Sequence, residues 1–159
     1  MRVSIIYGSK SDKDIMSKAG VLLGEFGIEY KEYILSAHRV PEKLTEVLEK
    51  LEKEEGHECI IAGAGLAAHL PGVIASHTTL PVIGVPINAA LGGMDSLLSI
   101  VQMPKSIPVA TVGINNSFNA AMLSIQILSL KYPELKEKLE LYRKDMKENF
   151  IKDSGLEEA

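Results

Sequence analysis

Four short segments of this chain hold residue types suited to chemistry on a small phosphorylated molecule. Ser36-Ala37-His38-Arg39 sets an imidazole beside a guanidinium. The first can move a proton near neutral pH, and the second can grip phosphate or carboxylate through two parallel hydrogen bonds. Gly8-Ser9-Lys10-Ser11-Asp12 joins a turn-permitting glycine to hydroxyls and a carboxylate. Such a turn suits a phosphate, and Asp12 would either cap a helix or accept from ribose hydroxyls. The same five residues also read as an ordinary capped turn, and their spacing is neither that of a Walker A loop nor G-x-G-x-x-G. Ala62 to Gly72 (AGAGLAAHLPG) is dense in small residues, so its backbone can come close to a ligand, and it carries Gly65, His69 and Leu70. Asn88 to Ser96 contains two adjacent glycines and is a candidate mobile lid or pocket wall.

Other polar candidates read as structural. His57 precedes an apolar run among charged residues, and His77 ends a helical stretch, so both are assigned to structure or solvent. Cys59 lies inside an apolar strand without a neighbouring base and reads as core. No His, Cys, Asp or Glu cluster has the spacing of a structural metal site, so no metal is expected.

Elements must position these segments. Val3 to Tyr7, Glu29 to Leu35, Cys59 to Ala62, Pro81 to Val85 and Val109 to Val112 read as strands. Between the first three lie helical patterns: Asp12 to Phe26, and a helix opened by Pro41 with Leu44, Val47, Leu48 and Leu51 on one face. Leu97 to Pro104 reads as a short buried helix and Met122 to Leu130 as a helix interior. Strands alternating with helices imply a parallel sheet with right-handed crossovers, and ligands bind beyond the carboxyl ends of such strands. All four chemistry-bearing segments follow strands. From Pro133 a last helix shows a narrow stripe of Leu135, Leu139, Tyr142, Met146 and Phe150 amid charge, as in a coiled-coil seam or a helix docked on a neighbour, or equally an ordinary surface helix.

Composition bounds the answer. The 159 residues suit one domain, with a core over about 1–131 and the last helix over about 133–151. The 46% hydrophobic fraction supports a buried core, and without Trp that core must be mainly aliphatic. A net charge of −4 argues against nonspecific nucleic-acid or anionic-membrane binding, though not against an anionic substrate in a locally positive pocket. The single cysteine fits a reducing compartment, and no apolar run approaches the roughly 20 residues that span a bilayer. A signal peptide is not expected, and a cytoplasmic location is.

Taken together, GSKSD, SAHR-x-P, AGAG-x-AAHLPG, PVIGVP and DSLLSIVQMP, in this order and spacing, resemble the N5-carboxyaminoimidazole ribonucleotide mutase family, the catalytic subunits of bacterial phosphoribosylaminoimidazole carboxylase. The resemblance covers nearly the whole chain. It implies an α/β, three-layer flavodoxin-like fold with a parallel sheet, a C-terminal helix packing on a neighbouring subunit, and a homo-octamer. It implies a ribonucleotide substrate, no metal, ATP or organic cofactor, and an ATP-dependent synthetase that supplies the substrate. By motif, His38 would be the general acid/base. Ser9, Ser11, Asp12, Ser36 and Arg39 would bind the substrate, with Arg39 on its phosphate. Gly65, His69 and Leu70 would line the closed pocket holding the migrating carboxyl. A CO2-dependent carboxylase on the same scaffold is the alternative, and a flavodoxin-like binding module a remote one. SAHR together with AAHLPG favours the mutase. Three features depart from the family pattern: Leu66 replaces a usual Gly, Val40 a usual Thr, and the loop around 87–94 is one residue shorter.

Overall fold

The computed structural model describes residues 1–155. Two compact units are distinguished, Met1–Ser124 and Ile125–Ala159. The first contains five parallel strands, β1 (Arg2–Tyr7), β2 (Glu29–Ile34), β3 (Cys59–Gly65), β4 (Val82–Ile87) and β5 (Ala110–Thr111), in the spatial order β2-β1-β3-β4-β5. That is the doubly wound, flavodoxin-like order, whose ligand crevice lies where the winding reverses, between β1 and β3. Helices α1 (Lys13–Glu25), α2 (Pro41–Lys53), α3 (Leu70–His77) and α4 (Met94–Val101) complete its connections, and α5 (Ser117–Ser129) begins in it.

Strand register sorts the core into two faces. Val3, Ile5 and Tyr7 stand beside Cys59, Ile61 and Gly63, and Ile61 and Gly63 beside Ile83 and Val85. On this face Met16 of α1 lies over Gly63, and Ser124 of α5 meets Cys59. The opposite face, with Ile6, Ile60, Ala62 and Val82, packs against Leu44, Leu48 and Leu51 of α2, Ile74 of α3 and Ile100 of α4. Helices therefore cover both faces, which is why the central strands read as continuous apolar runs rather than alternating ones. Gly84 permits the closest approach on this second face: a Cβ there would lie 2.4 Å from Ile100 Cγ2 and 2.9 Å from Val109 Cγ1.

Several elements differ from the sequence expectation. β3 continues to Gly65, so the first four residues of the small-residue segment are strand rather than loop. A Cβ on Gly63 would sit 2.3 Å from Met16 Sδ, so that glycine serves helix–sheet packing. β2 is an edge strand with little burial, and β5 has only two residues. The helix expected to be buried over Leu97–Pro104 is α4, starting at Met94. Ser96 and Ile100 face inward, while Met94, Leu98 and Val101 are exposed on its other side.

His57 is structural, as expected, and buried. Its Nδ1 shares a hydrogen bond with Ser4 Oγ (2.8 Å), and its Nε2 lies 3.3 Å from Glu55 Oε2. Burial pushes its pKa below the ordinary 6.5, and the nearby Glu55 carboxylate opposes this less strongly. The folded state therefore binds this proton less readily than the unfolded chain. The associated stability is present above about pH 6.5 and is lost as pH falls below it. The expected result is a melting temperature that drops between about pH 7.5 and 5, with a shallower slope for His57→Gln by calorimetry.

In the second unit, α6 (Pro133–Asp153) is a 21-residue helix. Of the expected stripe, Leu135 is buried, Leu139 and Tyr142 are half-buried, and Met146 and Phe150 are exposed.

Candidate active site

The carboxyl ends of β1, β2 and β3 deliver three loops to one cleft of about 470 Å³, at the crevice predicted by strand order. Every site residue named from the sequence lines it: Ser9, Ser11, Asp12, Ser36, His38, Arg39, Gly65, His69 and Leu70.

After β1 the chain leaves the sheet at Gly8 and forms a single 3-10 turn, Lys10–Asp12, before α1. Ser9 accepts the Ser11 backbone N–H (3.4 Å). The Ser11 hydroxyl lies 3.0 Å from Ser9 Oγ and 3.1 Å from Asp12 Oδ1, and its one proton serves one of them at a time. Asp12 precedes the first residue of α1 but makes no side-chain cap, contrary to one of its expected roles, so its carboxylate stays with the turn. Beneath it Tyr7 is buried and donates to Glu32 Oε2 (3.1 Å). Burial first, and that hydrogen bond second, push its hydroxyl up to about 12, so it stays protonated at neutral pH.

After β2, Leu35 anchors the chain through its N–H to Tyr7 O (2.9 Å), and residues 36–39 turn before Pro41 opens α2. Ser36 Oγ accepts the Arg39 N–H (3.4 Å). Arg39 Nη2 donates to Gly8 O (3.0 Å), which swings the guanidinium over the serine turn. Its other N–H groups remain available to an anion.

After β3, the loop takes two left-handed non-glycine residues in close succession, Leu66 (φ 56°) and Ala68 (φ 39°). Each such residue costs roughly 1–2 kcal/mol, a cost that concentrates at functional sites. The conformation accounts for the glycine usual at position 66 in the resembled family: only glycine enters it without penalty. Leu66 is 56% exposed at the cleft. The tight path turns His69 back toward the second loop. His69 Nδ1 lies 2.7 Å from His38 Nε2, with the rings edge to face at 87°. No spacing signal reveals this pair, because 31 positions separate the two rings in the chain.

From the glycine-pair segment after β4, only Ala89 reaches the cleft. Leu91–Gly93 forms a 3-10 turn, and Ser96 Oγ lies within hydrogen-bond reach of Ile87 O and Gly93 O, anchoring the segment to the sheet. The cleft is open on one side: His38, Arg39, Leu66 and His69 are all exposed in the single chain.

A model of one protein family, described as AIR carboxylase, matches residues 2–149. The chain belongs to the AIR carboxylase family. Among its curated relatives in that family, a Pyrococcus horikoshii protein named N5-carboxyaminoimidazole ribonucleotide mutase is 62% identical over 146 residues, 91% of this chain and 82% of that one. The Thermotoga maritima protein of the same name is 54% identical over 94% of this chain and 88% of its own. A phosphoribosylaminoimidazole carboxylase of Vigna aconitifolia is 45% identical over 95% of this chain, but the match is only 27% of that protein. Among solved structures, PurE of Treponema denticola superposes on 99% of both chains with a TM-score of 0.89 at 30% identity. The flavodoxin-like AIR carboxylase fold therefore extends over the full described chain.

Proposed function

We propose that this chain is a 5-(carboxyamino)imidazole ribonucleotide mutase, an isomerase of purine biosynthesis. It moves the carboxyl group of N5-carboxyaminoimidazole ribonucleotide from N5 to ring C4. One observation carries the reading: an imidazole, a guanidinium, a serine turn and a small-residue loop meet around a single cleft. Identities of 52–62% to relatives named for this reaction support it.

Each group has a role that its chemistry supplies. The Arg39 guanidinium and the hydroxyls of Ser9 and Ser11 hold the substrate phosphate, and Asp12 accepts from the ribose hydroxyls. His38 protonates N5, whose carbamate then loses CO2. The ring carbon attacks the released CO2 as an enamine, and His38 takes the proton that C4 must shed. One proton is given and one returned, so the reaction is proton-neutral overall. CO2 offers no charge to grip, so it must be retained by confinement. Ser36, Gly65, His69 and Leu70 form the wall that keeps it beside C4.

The discriminating experiment is to assay purified protein separately with N5-carboxyaminoimidazole ribonucleotide and with aminoimidazole ribonucleotide at varied bicarbonate. Turnover of the first, independent of added bicarbonate, is expected. Turnover of the second alone, rising with bicarbonate, would overturn the mutase reading in favour of a CO2-dependent carboxylase.

The working form is a homo-octamer in the cytoplasm, supplied by an ATP-dependent carboxyaminoimidazole ribonucleotide synthetase. Support comes from the unpartnered apolar groups Met94, Leu98 and Val101 of α4, and from Met146 and Phe150 of α6, which suit burial against other copies. In this arrangement the C-terminal helix lies on a neighbour, and neighbouring subunits close the open side of the cleft. Light scattering that returns a fully active monomer would remove this part of the reading.

A further inference from the structure

Two of the chain's departures from the resembled family meet at one edge of the cleft. Leu66 lines it, and so does Ala89 of the shortened loop. A Cβ added to Gly65 would lie 3.0 Å from Ala89 Cβ and 3.1 Å from Ile87 O, so that loop closes on the residue next to Leu66. Among the described residues lining the cleft, Leu66 alone holds a large apolar side chain in the open. The other apolar ones are alanines and the buried Leu70. The Leu66 backbone is left-handed, a conformation that burdens any Cβ and that glycine adopts freely. Ala68 is left-handed too, but it is 4% exposed and packs in the core, which offsets its strain. Leu66 is more than half exposed, so packing within the chain offsets little. Leu91 is also left-handed and exposed, but it lies off the cleft, so strain alone assigns no role. At Leu66 strain, apolar bulk and the site coincide.

We propose that Leu66 is a specificity-determining residue: its side chain screens the mouth of the cleft and keeps released CO2 on the path to C4 and off the path to water. This rests on the mutase reading given above. Once N5 is protonated, the bond from N5 to the carboxyl carbon breaks, its electron pair stays on N5, and CO2 is free. Two fates then compete. In one, C4 bonds to the carbon of CO2 and sheds its proton, giving the carboxylated product. In the other, CO2 escapes and hydrates to bicarbonate, and aminoimidazole ribonucleotide keeps the proton that N5 took up. The groups that grip the substrate phosphate serve both fates alike. An uncharged molecule is held only by what blocks its way, so the partition between the fates is set at the mouth. A loop one residue longer would bring more chain to this edge. Where the loop is short, the Leu66 side chain supplies the missing wall, and its methyl groups offer water no hydrogen-bond partner.

The test compares Leu66→Gly and Leu66→Ala, which remove the screen, with Leu66→Met, which keeps its bulk. Each protein is mixed in excess with the carbamate substrate for a single turnover. Carboxylated product and aminoimidazole ribonucleotide are then counted against a protein-free blank. Wild type and Leu66→Met are expected to give mainly the carboxylated product. Leu66→Gly and Leu66→Ala should form several-fold more aminoimidazole ribonucleotide per carboxylated product, with steady-state KM little changed. Leu66→Gly should melt no lower than the wild type, because the backbone there suits glycine. An unchanged product ratio in both truncated variants overturns the proposal. So does an effect confined to KM. So does a ratio that shifts only where light scattering shows an altered oligomeric state, since Leu66 would then serve packing against another copy. The mutase reading fails on a different result, a wild type that makes no carboxylated product from the carbamate.

Discussion

His38→Asn is expected to lower kcat by at least about 10³-fold while leaving the fold intact. General acid and general base catalysis each contribute roughly 10²–10⁴-fold, and this one ring is asked to supply both. Asn matches the reach of Nδ1 and can hydrogen-bond, but it cannot carry a proton through the cycle. The ring is exposed in the turn between β2 and α2, outside the core, so the melting temperature should move little. Steady-state kinetics with the carbamate substrate, paired with circular dichroism, checks both halves. Full turnover in a folded variant would remove His38 from the mechanism.

Arg39→Ala is expected to act on binding. The guanidinium is held over the serine turn by Gly8 O (3.0 Å), which leaves its remaining N–H groups free for a phosphate. A charge-assisted, two-pronged contact of this kind is worth about 2–3 kcal/mol, so KM should rise roughly 10²-fold. Because the phosphate is remote from the bond that breaks, kcat should fall much less. Arg39→Lys should recover only part of the affinity, since an ammonium keeps the charge but not the planar fork. Inorganic phosphate should inhibit the wild type competitively and the Ala variant weakly. A variant whose kcat collapses while KM stays unchanged would show that Arg39 serves the chemistry instead.

Helix and strand existence is largely legible, because burial on both faces of a parallel sheet writes mainly apolar runs such as Val3–Tyr7 and Cys59–Ala62. Their limits are less so. A stretch this dense in Gly and Ala reads as loop, yet Gly63 and Gly65 belong to β3, where a Cβ on position 63 would lie 2.3 Å from Met16 Sδ. The segment Leu97–Pro104, which α4 opens at Met94, reads in sequence as a buried helix. Its outward face, Met94, Leu98 and Val101, shows that apolar content does not say which partner covers a surface. The Asn88–Ser96 segment reads from its two glycines as a mobile lid or a pocket wall; in the structure the Ser96 hydroxyl ties it to the sheet end, and Ala89 is its one residue lining the cleft.

The identities of the working groups were contained in the chain itself. Imidazole, guanidinium, hydroxyls and small residues each follow a strand, and in a parallel sheet all such ends point the same way. What the sequence could not determine is which ends become neighbours. That depends on the order β2-β1-β3, which brings loops 8–12, 36–39 and 64–70 around one space. Only the tertiary structure decided that the His38 and His69 rings meet within hydrogen-bond distance. A 2.7 Å contact across 31 residues depends on strand order and on the left-handed turn at Leu66 and Ala68, and neither leaves a periodic trace in residue type.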